Sequence, residues 1–335
     1  MILSNYFSNG GKKMKKLLVV LLMLAIVTTM AFAGGQGGRT GDITVGFAQA
    51  KADESDWRMA NTRSMLDAFN RPGWRLILAD SNNDAAKQIA DVQNFINMGV
   101  DYIVLSAVNE AGWSTVLRNA QRAGIPVILN DRTIAASEDD LWLAWYGGSF
   151  RHEGDLAMAW LERRFGTNPM GLVHLQGQLG ASAQVGRTEA VDAALARNRG
   201  WTMLARQTGD WGTDRGRAVM TVWIQQFGNR INAVFAENDN MALGAIQALQ
   251  EAGMRVGGRD GVAIVTVDAN RWSLQMTLEG LINYNVECNP LLGPGIFEII
   301  DNHRRGINPP KRSTVVAQTF AFDTITQAII DARAY

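Results

Sequence analysis

The chain has 335 residues, 47% of them hydrophobic, with 32 basic and 32 acidic residues and one cysteine, Cys288. About 300 residues are enough for two domains with cores of their own, and a lone cysteine excludes an internal disulfide, so packing must supply the stability. A charge balance without a basic excess speaks against nucleic acid, whose phosphates need clustered Lys and Arg.

The first 33 residues read as a secretory signal peptide. Lys12, Lys13, Lys15 and Lys16 lead into the apolar run 17–30, and Ala31-Phe32-Ala33 gives the small-x-small exit. The run is short for a membrane span, and the glycine-rich 34–41 lacks a stop-transfer cluster of charges. Met14 is the expected start and Ala33 the expected cut site. Beyond it remain 28 basic against 32 acidic residues, a formal charge of −4. Cys288 cannot carry an N-terminal lipid, so a periplasmic, unanchored protein is expected, with Cys288 as a small buried hydrophobe.

From Gly41 onward, β-branched runs alternate with amphipathic stretches, the pattern of a parallel sheet covered by helices. Strand 43–48, helix 56–69, strand 75–79 and helix 84–98 come first, with Ile89, Val92, Phe95 and Ile96 on one face of the last. Gly99, Gly124 and Gly253 stand where a left-handed residue ends a helix. Two segments, 97–104 and 122–128, repeat the order helix end, glycine, turn, buried strand. A second series begins near Gly147, with strands 170–175, 202–206, 233–236 and 262–267, then a last strand over 314–320. Two similar doubly wound α/β domains are implied, and the absence of a Pro- or Ser-rich linker places their junction on strands.

Ligands of open parallel sheets sit beyond the carboxyl ends of the strands, so polar residues directly after each apolar run are the candidates. Asp131 and Arg132 follow 127–129, Asn238 follows Glu237 after 233–236, Asp268 follows 264–267 and Glu287 follows 282–286. Arg187 lies just inside a helix after the 177–180 turn, and Trp57 and Trp211 are read in loops after strands. Carboxylates, amides and guanidinium groups with tryptophans suit a carbohydrate, because each hydroxyl donates and accepts while an indole face covers the C–H side of the ring. For each polar residue the competing role is a helix N-cap.

Other constellations point to structure. His152-Glu153 begins like a zinc-protease helix, but Leu156 stands where the second histidine is needed. Asp80, Asn82 and Asp84 imitate a calcium loop, yet Ala85 replaces its glycine, so a helix entrance is expected. His152, His174 and His303 are read as structural, and Trp142 and Trp145 as core. No metal and no cofactor are expected.

In order along the chain, Val45-Gly46-Phe47-Ala48-Gln49, Glu54-Ser55-Asp56-Trp57-Arg58, Asp131-Arg132-Thr133, Leu175-Gln176-Gly177, Gly180-Ala181-Ser182, Gly209-Asp210-Trp211, Asn238-Asp239-Asn240-Met241 and Asn285-Val286-Glu287 form a familiar series. On these the chain resembles the periplasmic sugar-binding proteins of ABC importers, of the ribose-binding type, and among them the galactofuranose binders. The resemblance spans nearly the whole chain beyond the leader. It implies a type I periplasmic binding protein with a strand hinge, 42–146 plus 288–312 as one lobe and 147–287 plus 313–335 as the other. It further implies that Asp131, Arg132, Arg187, Asn238, Asp268 and Glu287 hold sugar hydroxyls, that Trp57 and Trp211 clamp the ring, and that Glu54 and Arg58 join them from the first loop. Ala269, where a glycine usually follows the aspartate, and Glu237, where a neutral or basic residue is usual, depart from the pattern and bear on which aldose is taken.

The expected action is capture of a monosaccharide by hinge closure and delivery to an ABC permease by a monomer, with no catalytic step. A sensor presenting sugar to a chemoreceptor or histidine kinase would use the same lobes. A LacI-like regulator would need a DNA-binding helix-turn-helix before the first strand, where a leader stands instead. A nucleotide-dependent sugar dehydrogenase would need a glycine-rich first loop, and 49–56 contains no glycine.

Overall fold

The computed structural model describes residues 41–335; the leader expected at 1–33 lies outside them. Two six-stranded sheets carry the chain. The first contains β1 (Ile43–Gln49), β2 (Trp74–Asp80), β3 (Tyr102–Leu105), β4 (Val127–Asn130), β5 (Ala144–Gly148) and β11 (Arg312–Val315), in the order β11-β5-β4-β3-β1-β2. The second contains β6 (Met170–Gln176), β7 (Trp201–Thr208), β8 (Ala233–Ala236), β9 (Ala263–Asp268), β10 (Tyr284–Glu287) and β12 (Thr319–Ala321), in the order β12-β10-β9-β8-β6-β7. All pairs are parallel except β10 with β12. Each sheet reverses direction of growth at its first strand, which leaves a crevice at the carboxyl ends.

Helices cover both faces. In the first lobe, α1 (Asp56–Phe69), α2 (Ala85–Met98) and α3 (Ser114–Arg122) follow β1, β2 and β3. In the second, α4 (Phe150–Phe165), α5 (Ser182–Arg197), α6 (Thr213–Phe227), α7 (Asp239–Glu251) and α8 (Arg271–Leu278) alternate with β6 to β10. Helix α9 (Gly293–Arg304) returns to pack Ile296, Ile299 and Ile300 with Phe47 and Met65 of the first lobe, and α10 (Gln327–Asp331) closes the chain beside α8. The entrance at Asp84 is an N-cap accepting from the Lys87 amide at 3.0 Å, and Gly99 ends α2 with φ +67°. Gly46 lets α2 settle on β1, since a Cβ there would meet the Phe95 ring at 2.5 Å.

The chain crosses between sheets three times among the described residues: after β5, after β10 and between β11 and β12. The single strand expected over 314–320 is therefore two. Residues up to Val315 pair with β5 in the first sheet, while Thr319–Ala321 runs antiparallel to β10 in the second. The last crossing thus falls three residues later than the expected boundary at 312–313, because hydrophobic periodicity reports burial and not which sheet a strand joins.

Among the described residues no helix is long and apolar enough to cross a membrane.

Candidate functional site

A cavity lies where the strand ends of the two sheets face each other. Glu54, Trp57, Arg58, Asp131 and Arg132 line it from the first lobe, Arg187, Trp211, Asn238 and Asp268 from the second. Nine of the ten expected residues are thus brought together, all buried.

The left-handed backbone of Asp131 (φ +64°) turns its carboxylate back from the end of β4. The fold enforces this turn: the Trp145 indole donates to the Asp131 carbonyl at 2.8 Å, and a Cβ on Gly147 would stand 2.9 Å from that oxygen. Behind it, Asn130 donates to Asn61 and Ser106, and Gln49 to Asn61 and Thr62, so the donors of both buried amides are matched beneath the site. Ser55 caps α1 by accepting from the Arg58 amide, so Trp57 occupies the helix's first turn and not a loop. Its indole N–H donates to the Cys288 carbonyl on the second crossing.

In the second lobe, Trp211 sits in a turn where it and Asp210 both have positive φ. Its ring packs directly against Gly177: a Cβ there would fall 2.0 Å from the nearest indole carbons. Asn238 takes the competing role of helix N-cap and also lines the cavity. Its oxygen caps α7 by accepting from the Met241 amide, and its amide donates to the Trp211 carbonyl at 3.1 Å, so it faces the cavity while fixing the tryptophan turn.

Three arginines are paired with carboxylates. Arg58 Nη2 is 2.8 Å from Asp131, Arg132 Nη2 is 2.6 Å from Glu54, and Arg187 Nη2 is 2.7 Å from Glu153. Burial alone would raise Glu54, but Arg132 and Arg58 outweigh it and hold the group below the usual carboxylate range. Burial lowers Arg132, and it pushes Asp268 well up, with Asp239 adding to the rise and Arg187 opposing it. No arginine is left with an unmatched charge, so the cavity suits a neutral ligand better than an anion.

Several buried polar atoms have no hydrogen-bond partner among the described residues: Arg58 Nη1, Arg132 Nε and Nη1 and Trp211 Nε1 as donors, Glu54 Oε1 and Asp268 Oδ2 as acceptors. Leaving such atoms unmatched costs about 1–3 kcal/mol each, which a ligand carrying several hydroxyls would recover.

Glu287 is a correction. Successive side chains of a strand point to opposite faces, and Glu287 faces away from the cavity: it meets Arg333, the Tyr335 hydroxyl at 3.0 Å and the Gln318 amide at 3.1 Å. Its neighbour Cys288 lines the cavity instead, buried as expected but at the site. Sequence reasoning also missed Phe150 and Ala183 in the lining and Glu153 as the partner of Arg187. Glu153 had a signal, an acid in the first turn of a helix directly after a strand. Close packing of α4 on α5 lets it reach, since a Cβ on Gly154 would meet Ala190 at 2.6 Å. Glu237, the departure from the family pattern, points into the second lobe and bonds His174 at 2.9 Å and the Gly177 amide at 2.8 Å.

Two mirrored α/β lobes enclosing a polar cavity between their strand ends define a ligand-capturing protein. The chain belongs to the periplasmic binding protein domain family, which it matches over residues 45–291. It is 31% identical over 279 residues to the galactofuranose-binding protein YtfQ of Escherichia coli K12, covering 83% of this chain and 87% of that one. It is 30% identical to the fructose import binding protein FruE of Bifidobacterium longum, over 88% of this chain and 90% of that one. Among solved structures, a galactofuranose binding protein superimposes with TM-score 0.82 at 30% identity, over 87% of this chain and 98% of that one. A Mycobacterium smegmatis protein in complex with β-D-fucofuranose does so with TM-score 0.80 at 36% identity, over 87% and 93%.

Proposed function

We propose that this chain is an extracytoplasmic sugar-binding protein that captures a neutral monosaccharide, an aldose in its five-membered ring form, by closure of the two lobes and delivers it to an ABC importer. The observation that carries this reading is the set of unmatched donors and acceptors in one enclosed cavity, combined with arginines already neutralised by carboxylates. A sugar hydroxyl donates and accepts at once and so answers both kinds of atom. The furanose form is supported by the relatives, whose names specify galactofuranose and fucofuranose. In this reading residues 1–33 direct export and are removed, the protein acts as a monomer without a lipid anchor, and the lobes divide near the three crossings. Trp57 and Trp211 cover the ring, while the arginines and carboxylates hold its hydroxyls. The ligand leaves chemically unchanged.

Isothermal calorimetry with D-galactose, L-arabinose, D-fucose, D-fructose and D-galacturonate tests the proposal. Saturable binding of at least one neutral aldose, with no heat from galacturonate, is expected. Binding of the uronate alone, or of no sugar, would overturn it; fructose alone would shift the ligand to a ketohexose.

A further inference from the structure

Asp239 opens α7 one residue beyond Asn238, fully buried, yet it does not line the cavity. Its carboxylate gathers four donors. Oδ2 accepts from the Asn270 amide N–H at 2.9 Å, the Asn270 side chain at 3.0 Å and the Ser273 hydroxyl at 2.5 Å, and Oδ1 accepts from the Asn285 side chain at 3.0 Å. Asn285 in turn accepts from the Ala269 amide at 3.1 Å. The carboxylate and this amide bracket the segment 268–270.

That segment is strained. Asp268 has φ +122° and Ala269 φ +60°, two consecutive non-glycine residues where L side chains are disfavoured. Such backbone persists only where its surroundings over-determine it. The product of the strain is the position of Asp268, buried in the cavity wall with Oδ2 unpartnered.

We propose that Asp239 is a positioning residue for ligand capture: through Asn270, Ser273 and Asn285 it holds the strained Asp268–Ala269 turn, and so holds the Asp268 carboxylate where a ligand hydroxyl meets it. The proposal rests on the cavity being the sugar site. Asp239 itself touches no ligand.

The test is Asp239→Asn in the full chain. An asparagine keeps the shape but turns one acceptor into a donor facing donors. Calorimetry with D-galactose and L-arabinose should show affinity at least tenfold weaker, and adding Ala269→Gly, which relaxes one strained residue, should recover threefold or more of the loss. Without sugar, hydrogen exchange at the Ala269 and Asn270 amides should quicken while exchange in β9 stays slow. Unchanged affinity, a loss that Ala269→Gly does not recover, or unchanged exchange at these two amides would each overturn the proposal. If the parent protein binds another neutral sugar of the panel instead, that sugar serves as the probe; if it binds none, the sugar reading fails and the exchange measurement alone decides. If Asp239→Asn does not fold, Ser273→Ala, which removes one donor, should still quicken exchange at Ala269 and Asn270, and unchanged exchange there overturns the proposal.

Discussion

Arg132 offers the cavity two unpartnered nitrogens while its Nη2 holds Glu54, so it neutralises a buried acid and presents donors at once. Arg132→Ala should weaken sugar binding by roughly 2–4 kcal/mol, because the ligand loses its donors and Glu54 loses its strongest partner; calorimetry checks this, and unchanged affinity would remove the residue from the site. Gly177→Ala should be more severe, since no side chain fits against the Trp211 ring. It should abolish measurable binding while circular dichroism stays near that of the parent. Asp131, Arg132, Asn238 and Asp268 were legible from their place directly after apolar runs, a rule that follows from parallel-sheet geometry, whereas Glu54 and Arg58 were reached only through the family resemblance. Glu287 was misread because the rule cannot say on which face of β10 the last residue falls. Cys288 is buried as expected, but its place in the cavity wall was not legible, because hydrophobicity reports burial without reporting what the buried group lines.

At the scale of elements, α1 and the start of α7 bind the lobes to each other. Asn240 donates to the Asp56 carboxylate at 3.0 Å and Trp272 to the same oxygen at 3.2 Å, while the Thr133 amide donates to the Ser182 hydroxyl at 2.9 Å on another edge of the cleft. These contacts exist only when the lobes meet. Asp56→Ala should therefore speed sugar release and weaken affinity about fivefold, near 1 kcal/mol for a partly exposed pair of hydrogen bonds, with thermal stability of the sugar-free protein unchanged; stopped-flow tryptophan fluorescence reads the rate. The helix bounds 56–69 and the strand 233–236 were read correctly, because capping residues and apolar runs mark them. The split between β11 and β12 was not legible. Val315, Val316 and Ala317 continue the apolar run across the crossing, and the change of sheet is decided by tertiary pairing alone.

For the whole molecule, buried acids set how stability follows pH. Burial raises Glu153 and Asp268 and takes Asp239 up to about 6, so the folded chain holds those protons more tightly than the unfolded chain. Their contribution is full below the unfolded carboxylate range and is lost as pH rises through the folded values. Glu54, held low, contributes above its ordinary value of 4.5 and loses that contribution as pH falls through its folded value. Calorimetric melting should accordingly show Tm rising from pH 8 toward about pH 5 and falling on further acidification; a Tm that climbs steadily to pH 8 would contradict the assignment.

Closure around a neutral sugar is the claim on which the rest depends, and small-angle X-ray scattering of the purified chain with and without saturating D-galactose or L-arabinose tests it most directly. The account predicts a smaller radius of gyration when the sugar that binds is added, and no change with D-galacturonate. Saturable sugar binding with an unchanged radius would contradict it.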